Sequence, residues 1–205
     1  MKRRMALAVL LWGLLLTGCG KDMSLTDFQT SGIGIQKDGP VTELIVEDFD
    51  APYYSSEDLK TYAEGVAKEF NGAHPVTASG SGNEDISEAL TVGDVTVEND
   101  HARMLLTYAG LDYYNELNEK QIQVMTVAEA CGSGYSKVTV TNVKNGEDCA
   151  LSDVERPDRY MVLVLNEEDT VRVYGRLAYI DNNAEVVDEQ TAATLTDGTI
   201  VLFKK

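Results

Sequence analysis

The stretch Ser55–Phe70, SSEDLKTYAEGVAKEF, gives the clearest structural signal in the sequence. Ser55 followed three residues later by Asp58 is typical of a helix N-terminus, where a hydroxyl accepts a backbone hydrogen bond and an acidic residue occupies the first turn. Asn71-Gly72 predicts the helix end. Apolar residues between these signals recur three and four positions apart, which predicts a helix of about sixteen residues with one buried face, formed by Leu59, Tyr62, Ala63, Val66, Ala67 and Phe70.

Strand patterns lie on both sides of this helix. Ile33 and Ile35 alternate with polar positions, Lys37-Asp38-Gly39-Pro40 predicts a turn, and the chain returns as a strand over 41–49. After a polar loop, the predicted elements are a strand over 90–97 with a bulge at Gly93-Asp94, a turn at 98–101, a strand over 102–108, a helix over 111–118 and a strand over 121–127. From Val41 this order is strand–helix–strand–strand–helix–strand, the order of a ferredoxin-like βαββαβ unit.

The rest of the chain shows strand patterns only. The strongest signals are strands over 137–143, 160–165 and 199–203, a hairpin turn at Asn145-Gly146, and a strand over 171–180 that Gly175 interrupts. We therefore expect an α+β fold with a mainly antiparallel sheet and two helices in residues 33–130, followed by an all-β half in residues 131–205. The two regions are expected to pack as one unit.

The N-terminus combines basic residues at positions 2–4, an apolar run over Met5–Leu16, and small residues before Cys19. Twelve apolar residues make ~18 Å of helix, short of the ~30 Å of a bilayer core, which favours an export signal over a membrane span. Leu16-Thr17-Gly18-Cys19 also resembles the bacterial lipobox. That resemblance implies a signal peptide over residues 1–18, lipid attachment at Cys19, and a lipidated tether over residues 19–32. The alternative is an ordinary signal peptide with a cysteine nearby.

The charge balance restricts the partners of the folded part. The sequence has 17 Lys and Arg against 34 Asp and Glu, and cleavage before Cys19 removes three positive charges and no negative ones, leaving a net charge of −20. Such a surface repels nucleic-acid phosphate and anionic headgroups. We expect no nucleic-acid partner, a membrane contact through the lipid at Cys19, and a possible protein partner in the cell envelope.

Four segments carry a wider resemblance, and they are spread over most of the chain: VTELIVEDFDAPYY (41–54), DYYNELN (112–118), TVAEACGSGY (126–135) and VRVYGRLAYIDNNAEVVD (171–188). Together they are similar to a group of small, uncharacterised lipoproteins of Gram-positive bacteria. The resemblance implies a shared fold and a location on the outer face of the cell membrane, and it implies no activity and no functional residues.

The remaining cysteines, Cys131 and Cys149, are candidates for a disulfide outside the cytoplasm, although they could also stay reduced and buried. A catalytic cysteine is disfavoured because no partner histidine is identifiable. His74 and His101 stand in no metal-binding spacing, so the sequence predicts no zinc site and no cofactor. Gly32-Ile33-Gly34 and Gly80-Ser81-Gly82 lack any phosphate-binding pattern and are interpreted as turns.

An acidic cluster near the first helix could supply oxygen ligands to calcium. It consists of Glu47, Asp48, Asp50, Glu57 and Asp58. No EF-hand loop follows, and carboxylates in a first helical turn are also explained by the helix dipole, so no metal site is assigned. The tyrosines at 53, 54, 113 and 114 could stack on sugars, but core or rim positions explain them better.

Two function classes remain. The first is a non-enzymatic binding or interaction module held at the membrane, which fits the absence of catalytic motifs. The second is a cell-envelope hydrolase that uses dispersed carboxylates. Acidic residues with raised pKa values in one cleft would favour the hydrolase, and an open interaction surface would favour the binding module.

Overall fold

The computed structural model describes residues 23–51, 55–76, 86–195 and 198–205. The predicted signal peptide, Cys19, the tyrosines at 53 and 54, and the glycines at 80 and 82 lie outside these ranges. Within them the chain has three α-helices and thirteen strands in two mostly antiparallel sheets, which confirms the α+β class. In chain order the elements are β1 (Gly32–Ile35), β2 (Val41–Asp48), α1 (Ser56–Ala73), β3 (Leu90–Glu98), β4 (His101–Tyr108), α2 (Leu111–Leu117), β5 (Gln123–Thr126), α3 (Val127–Ala130), β6 (Thr139–Asn142), β7 (Asp148–Ala150), β8 (Tyr160–Leu165), β9 (Thr170–Val173), β10 (Leu177–Ile180), β11 (Ala184–Val186), β12 (Thr191–Thr194) and β13 (Thr199–Lys204).

The seven-stranded sheet has the order β11-β12-β9-β1-β2-β4-β3, and the six-stranded sheet has the order β5-β8-β13-β10-β6-β7. The pairing of β1 with β9 is parallel, and the other pairs are antiparallel. The main core contains Ile33 and Val171 from the first sheet and Leu163 and Val201 from the second, so it lies between the two sheets. A second cluster, with Val162 and others, covers the far face of the six-stranded sheet.

Helix α1 begins as predicted, because Ser55 Oγ accepts a hydrogen bond from the Asp58 N–H at 3.3 Å. Two details of the prediction are wrong. The helix continues to Ala73, since the Asn71 side chain bonds the backbone of Leu90 instead of ending the helix. Tyr62 is 72% exposed, because the face against the sheet is narrower than the apolar pattern and buries only Ala63, Ala67 and Phe70.

The hairpins of the first sheet follow the sequence signals closely. Asp38 and Gly39 adopt positive φ in the β1–β2 turn, as do Asn99 and Asp100 in the β3–β4 turn. The β3–β4 register shifts between Val92 and Val95, which confirms the predicted bulge. Gly32 and Gly34 lie in β1, so their interpretation as turn residues is wrong.

The ferredoxin-like arrangement is not formed. The predicted element order is present, but β5 pairs with β8 in the six-stranded sheet, and β2 pairs with β4 antiparallel. The apolar strand β8 pairs with β13 on one side and with β5 on the other, and α3 begins directly after β5 with a capping box at Thr126. Element order along a chain does not determine which strands pair.

The segment 131–205 is rich in strands but is not an all-β unit of its own. It contains short helical turns at Cys131–Tyr135, Leu151–Asp153 and Pro157–Arg159, and its strands β9, β11 and β12 complete the first sheet. Gly175 separates β9 from β10, which lie in different sheets. A Cβ at Gly175 would stand 1.8 Å from the Lys204 carbonyl oxygen, so no other residue fits at this crossing.

Candidate functional site

Residues 24–31 form a segment, here called the strap, that packs on the outer face of the seven-stranded sheet. Leu25 is 1% exposed and, with Phe28, contacts Leu44 of β2. The glycines of β1 make room for it, because a Cβ at Gly32 would stand 2.8 Å from the Phe28 ring. The alternation of glycine and isoleucine in β1 therefore gives the strand one apolar inner face and one open outer face.

Two arginines hold the strap in place. The Arg172 guanidinium, on β9, donates to both carboxylate oxygens of Asp27 at 2.7 and 2.9 Å and lies 4.6 Å from the centre of the Phe28 ring. It also donates to the Ser24 carbonyl. Arg103 of β4 donates to the Phe28 carbonyl at 2.9 Å. The tether predicted over residues 19–32 is thus corrected, since residues 24–31 are fixed to the sheet by buried side chains and bidentate hydrogen bonds, and β1 begins at Gly32.

A groove of about 880 Å³ runs beside the strap at one end of the seven-stranded sheet. The strap forms one wall, the ends of β2, β3 and β4 form another, and the chain around β9 and β12 closes it. The lining residues are Thr26, Gln29, Thr30, Ser31, Val46, Glu47, Asp48, Glu98, Asn99, His101, Arg103, Glu168, Asp169, Thr170, Ala193 and Thr194. Its size is that of a ligand site, but its lining is polar, unlike that of a typical pocket for an apolar small molecule.

The charge of the groove is negative. It contains five carboxylates against Arg103, whose guanidinium is bonded to the strap, and His101, which lies 3.1 Å from Asp48. The side chains of Glu47, Glu98 and Glu168 are exposed, and within the described ranges they have neither a hydrogen bond nor an ion pair. Glu98 and Glu168 are thus free to meet a cation in one open groove, and Asp48 lies on the same outer face as Val46, whereas the Glu47 side chain projects from the inner face of β2 with Glu43 and Ile45.

A polar cluster lies under the groove, on the inner face of the same sheet. Tyr108 donates to Glu43 at 2.6 Å, and Asn118 donates to Tyr108 at 3.1 Å. Lys120 pairs with Glu167 and attracts the Glu43 carboxylate. Burial raises the pKa of Glu43, and the hydrogen bond from Tyr108 partly opposes that shift.

Asp169 joins this cluster to the groove, which it also lines. Burial raises the pKa of its carboxyl to about 6, the hydrogen bond from the Thr170 N–H opposes the shift, and the Glu43 carboxylate adds to it. A carboxyl with this pKa carries a proton for part of the time near neutral pH. The raised pKa of Asp169 therefore suits a role in proton transfer at the groove.

The two predicted disulfide partners, Cys131 and Cys149, are free thiols in the structure. Both are half-buried against the second apolar cluster, around Val140 and Val162. Burial raises the pKa of the Cys149 thiol, so it carries little thiolate at neutral pH and is a poor nucleophile. The bridge between them stays a prediction.

The acidic residues proposed for calcium are not brought together. Glu57 and Asp58 lie in the first turn of α1, where the helix dipole accounts for them, and Asp48 contacts His101. Across the described part of the chain, no group of three or more His, Cys, Asp or Glu side chains is arranged to hold a metal ion. The other histidine, His74, bonds the Phe70 carbonyl at 2.9 Å and Glu116 at 3.0 Å.

The tyrosines of α2 occupy core and rim positions, as the sequence interpretation favours. Tyr114 is buried and meets Tyr108 edge to face, with ring centres 5.2 Å apart. Tyr113 meets the ring of Phe70 in the same way at 6.2 Å. Neither ring lines the groove.

The sequence interpretation missed the strap, Arg172 and the groove. Two local signals point to them in retrospect: the glycines that alternate with isoleucine in β1, and the acidic run Glu167-Glu168-Asp169 after the apolar strand β8. Neither signal says what lies opposite it in the fold.

Comparison with protein-family models, with curated proteins and with solved structures found no match to this chain. Within the described ranges, the chain has no helix with both the length and the apolar character needed to cross a bilayer.

Proposed function

We propose that the protein is a lipid-anchored binding module on the outer face of the cell membrane, attached through Cys19 after removal of residues 1–18. The basic start, the short apolar run and the small residues before Cys19 support this proposal. So does the net charge of −20 that remains after cleavage, because a strongly acidic surface has little affinity of its own for anionic headgroups and would need a lipid to hold it there.

The ligand of the module is cationic, and the charge of the groove carries this proposal. Glu98 and Glu168 line an open groove and have no ion-pair partner within the described ranges, and Asp48 and Asp169 line it as well, against the single guanidinium of Arg103. An open, polar, acidic channel suits an extended polypeptide segment rich in lysine or arginine. It attracts such a segment from a distance and binds it through exposed charge pairs, so the affinity must depend strongly on salt.

Binding of synthetic peptides to the soluble chain from residue 23 onward tests the proposal. A lysine-rich octapeptide should bind, a glutamate-rich one of equal length should not, and the dissociation constant should rise steeply between ~50 and ~200 mM salt. The groove variant Asp48→Asn/Glu98→Gln/Glu168→Gln should weaken binding ~10-fold or more.

The matched control is Glu69→Gln/Glu119→Gln/Glu155→Gln, which removes the same net charge from exposed residues outside the groove. It should leave the affinity nearly unchanged. Equal loss in both triple variants would mean that the net charge of the protein, and not the groove, attracts the peptide.

A second candidate is an envelope hydrolase with Asp169 as its proton donor, and the raised pKa of Asp169 favours it. Other carboxylates of the groove, such as Glu168, would then supply the second acidic group that glycoside cleavage requires. Release of soluble fragments from cell-wall polysaccharide, abolished by Asp169→Asn, would establish this function in place of the first.

A further inference from the structure

The strap determines where the chain leaves the folded domain. The Ser24 carbonyl is bonded to Arg172, and the Met23 carbonyl oxygen lies 3.6 Å from the point where a Cβ of Gly34 would stand. That Cβ direction is the outer face of β1, since the neighbouring isoleucines face the main core. The domain is therefore held from the middle of the outer face of its seven-stranded sheet.

The segment between this exit point and the proposed anchor is short. Four residue steps separate Met23 from Cys19, and an extended chain covers at most ~14 Å in that number of steps. Lipid chains on Cys19 would thus keep the outer face of the seven-stranded sheet next to the headgroups. A free tether of fourteen residues, as the sequence suggested, would have allowed any orientation.

The groove opens on this same face. Val46 lies on the outer face because it packs with Leu44 against the strap, and Arg103 reaches the strap from β4. Both residues line the groove, and so do Thr26 and Gln29 of the strap itself. The wall of the groove is accordingly only a few residues from the exit point, on the side that the anchor draws towards the membrane.

We propose that the groove takes the basic extracytoplasmic segment of a membrane-embedded partner protein, next to the point where that partner leaves the bilayer. The inference rests on the proposed anchor and the proposed cationic ligand, and it adds the class of partner. A short anchor confines the groove to a thin layer above the bilayer, which raises the effective concentration of partners confined to the same layer. The acidic channel excludes anionic headgroups from the same position.

The first experiment measures orientation, with the full lipidated protein in phosphatidylcholine vesicles that carry an acceptor dye on the headgroups. A donor dye is attached at Gln29, beside the groove, or at Lys144, an exposed residue of the β6–β7 turn in the other sheet. Energy transfer should be stronger from position 29. Insertion of twenty Gly and Ser residues after Lys21 should abolish the difference. Equal transfer from both positions without the insertion would overturn the inference.

The second experiment tests the class of partner. A lysine-rich octapeptide is attached to a lipid in the same vesicles through a short spacer, and its apparent dissociation constant is compared with that of the free peptide. Attachment should improve binding ~10-fold or more, and the inserted linker should remove most of this gain while leaving binding of the free peptide unchanged.

Three other results separate the possible failures. Equal binding of attached and free peptide would overturn the membrane-embedded partner and leave the proposed cationic ligand of the groove in place. No binding of either peptide would overturn the proposed function as well. Strong binding to vesicles with a cationic lipid and no peptide would assign the groove to a headgroup instead of a protein.

Discussion

The Tyr108 hydroxyl donates a 2.6 Å hydrogen bond to Oε2 of Glu43, from one strand to its neighbour on the inner face of the seven-stranded sheet. Asn118 of the chain after α2 donates to the same hydroxyl, so Tyr108 is satisfied both as donor and as acceptor. Burial raises the pKa of Glu43, and the hydrogen bond from Tyr108 is the main interaction that stabilises its charged form. The pair therefore links the sheet to α2 through a polar contact inside an apolar core.

Tyr108→Phe should destabilise the fold. Loss of the Tyr108 hydroxyl leaves the half-buried Glu43 carboxylate without its main hydrogen-bond donor. The free energy of unfolding should therefore fall by about 1.5–3 kcal/mol. Urea denaturation at pH 7 measures this change. Tyr113→Phe is the control, since no hydrogen bond of the Tyr113 hydroxyl is found among the described residues, and it should change stability by less than about 0.5 kcal/mol.

Asp169→Asn should change the pH dependence of stability. The folded-state pKa of about 6 lies above the ordinary 3.8, so the folded chain binds this proton more tightly than the unfolded chain does. Asp169 therefore lowers the free energy of unfolding as the pH rises from about 4 to about 6, by roughly 3 kcal/mol.

The free energy of unfolding of the wild type should be lower than that of Asp169→Asn at pH 7, and this difference should shrink towards pH 4. The reason is that asparagine stays neutral at every pH and can still accept the hydrogen bond from the Thr170 N–H. Urea denaturation at several pH values gives this difference. A wild type that is more stable than Asp169→Asn at pH 7 would contradict the raised pKa of Asp169.

Arg172→Ala should release the strap. The Arg172 side chain is only 12% exposed. The alanine variant loses the two hydrogen bonds to Asp27 and the contact with the Phe28 ring, so the free energy of unfolding should fall by about 2 kcal/mol or more. Hydrogen exchange of residues 24–31 should accelerate most. Arg176→Ala provides the comparison, because Arg176 forms an exposed pair with Glu189 and should contribute less than about 1 kcal/mol.

Gly175→Ala should be strongly destabilising, by about 3 kcal/mol or more, since its Cβ would overlap the Lys204 backbone and force β10 and β13 apart. Gly65→Ala, in the interior of α1 with no atom within 4 Å of the new Cβ, should instead stabilise by about 0.5–1 kcal/mol. Thermal unfolding of the two variants checks both signs. A tolerated alanine at position 175 would mean that the crossing between the sheets differs from the one described.

Cys19→Ser tests the anchor in the native membrane. The variant should lose the mass of its acyl chains and leave the membrane fraction, while the folded part keeps its thermal unfolding temperature. Intact mass and membrane fractionation measure these outcomes. A product of unchanged mass that is still cleaved and retained in the membrane would rule out lipid attachment at this residue.

Local signals predicted much of the fold. The N-cap at Ser55, the bulge after Val92, the turn at Asn145-Gly146 and the limits of β8 all depend on neighbouring residues and are found as expected. Strands β11 and β12 were missed because each has only three or four residues and the pair is rich in alanine and threonine.

Pairings between distant segments were not predictable in the same way. The placement of β5 beside β8 depends on which apolar strand has a free edge in the assembled sheet. The hydrophobic pattern of a strand does not specify which other strand it pairs with. The candidate site is the least local feature. Its charge comes from Asp48, Glu98 and Glu168, which stand far apart in the sequence and meet only after the seven-stranded sheet is assembled.

The parallel pairing of β1 with β9 has a consequence for when the seven-stranded sheet can form. Ile33 near the start of the chain meets Val171 near its end, so the seven-stranded sheet cannot close until almost the whole polypeptide has been made. While the C-terminal strands are still inside the ribosome, the N-terminal part lacks the neighbour that β1 requires. Under the proposed export, the chain would be transferred before its sheet is complete, and folding would finish only after the C-terminal strands have followed.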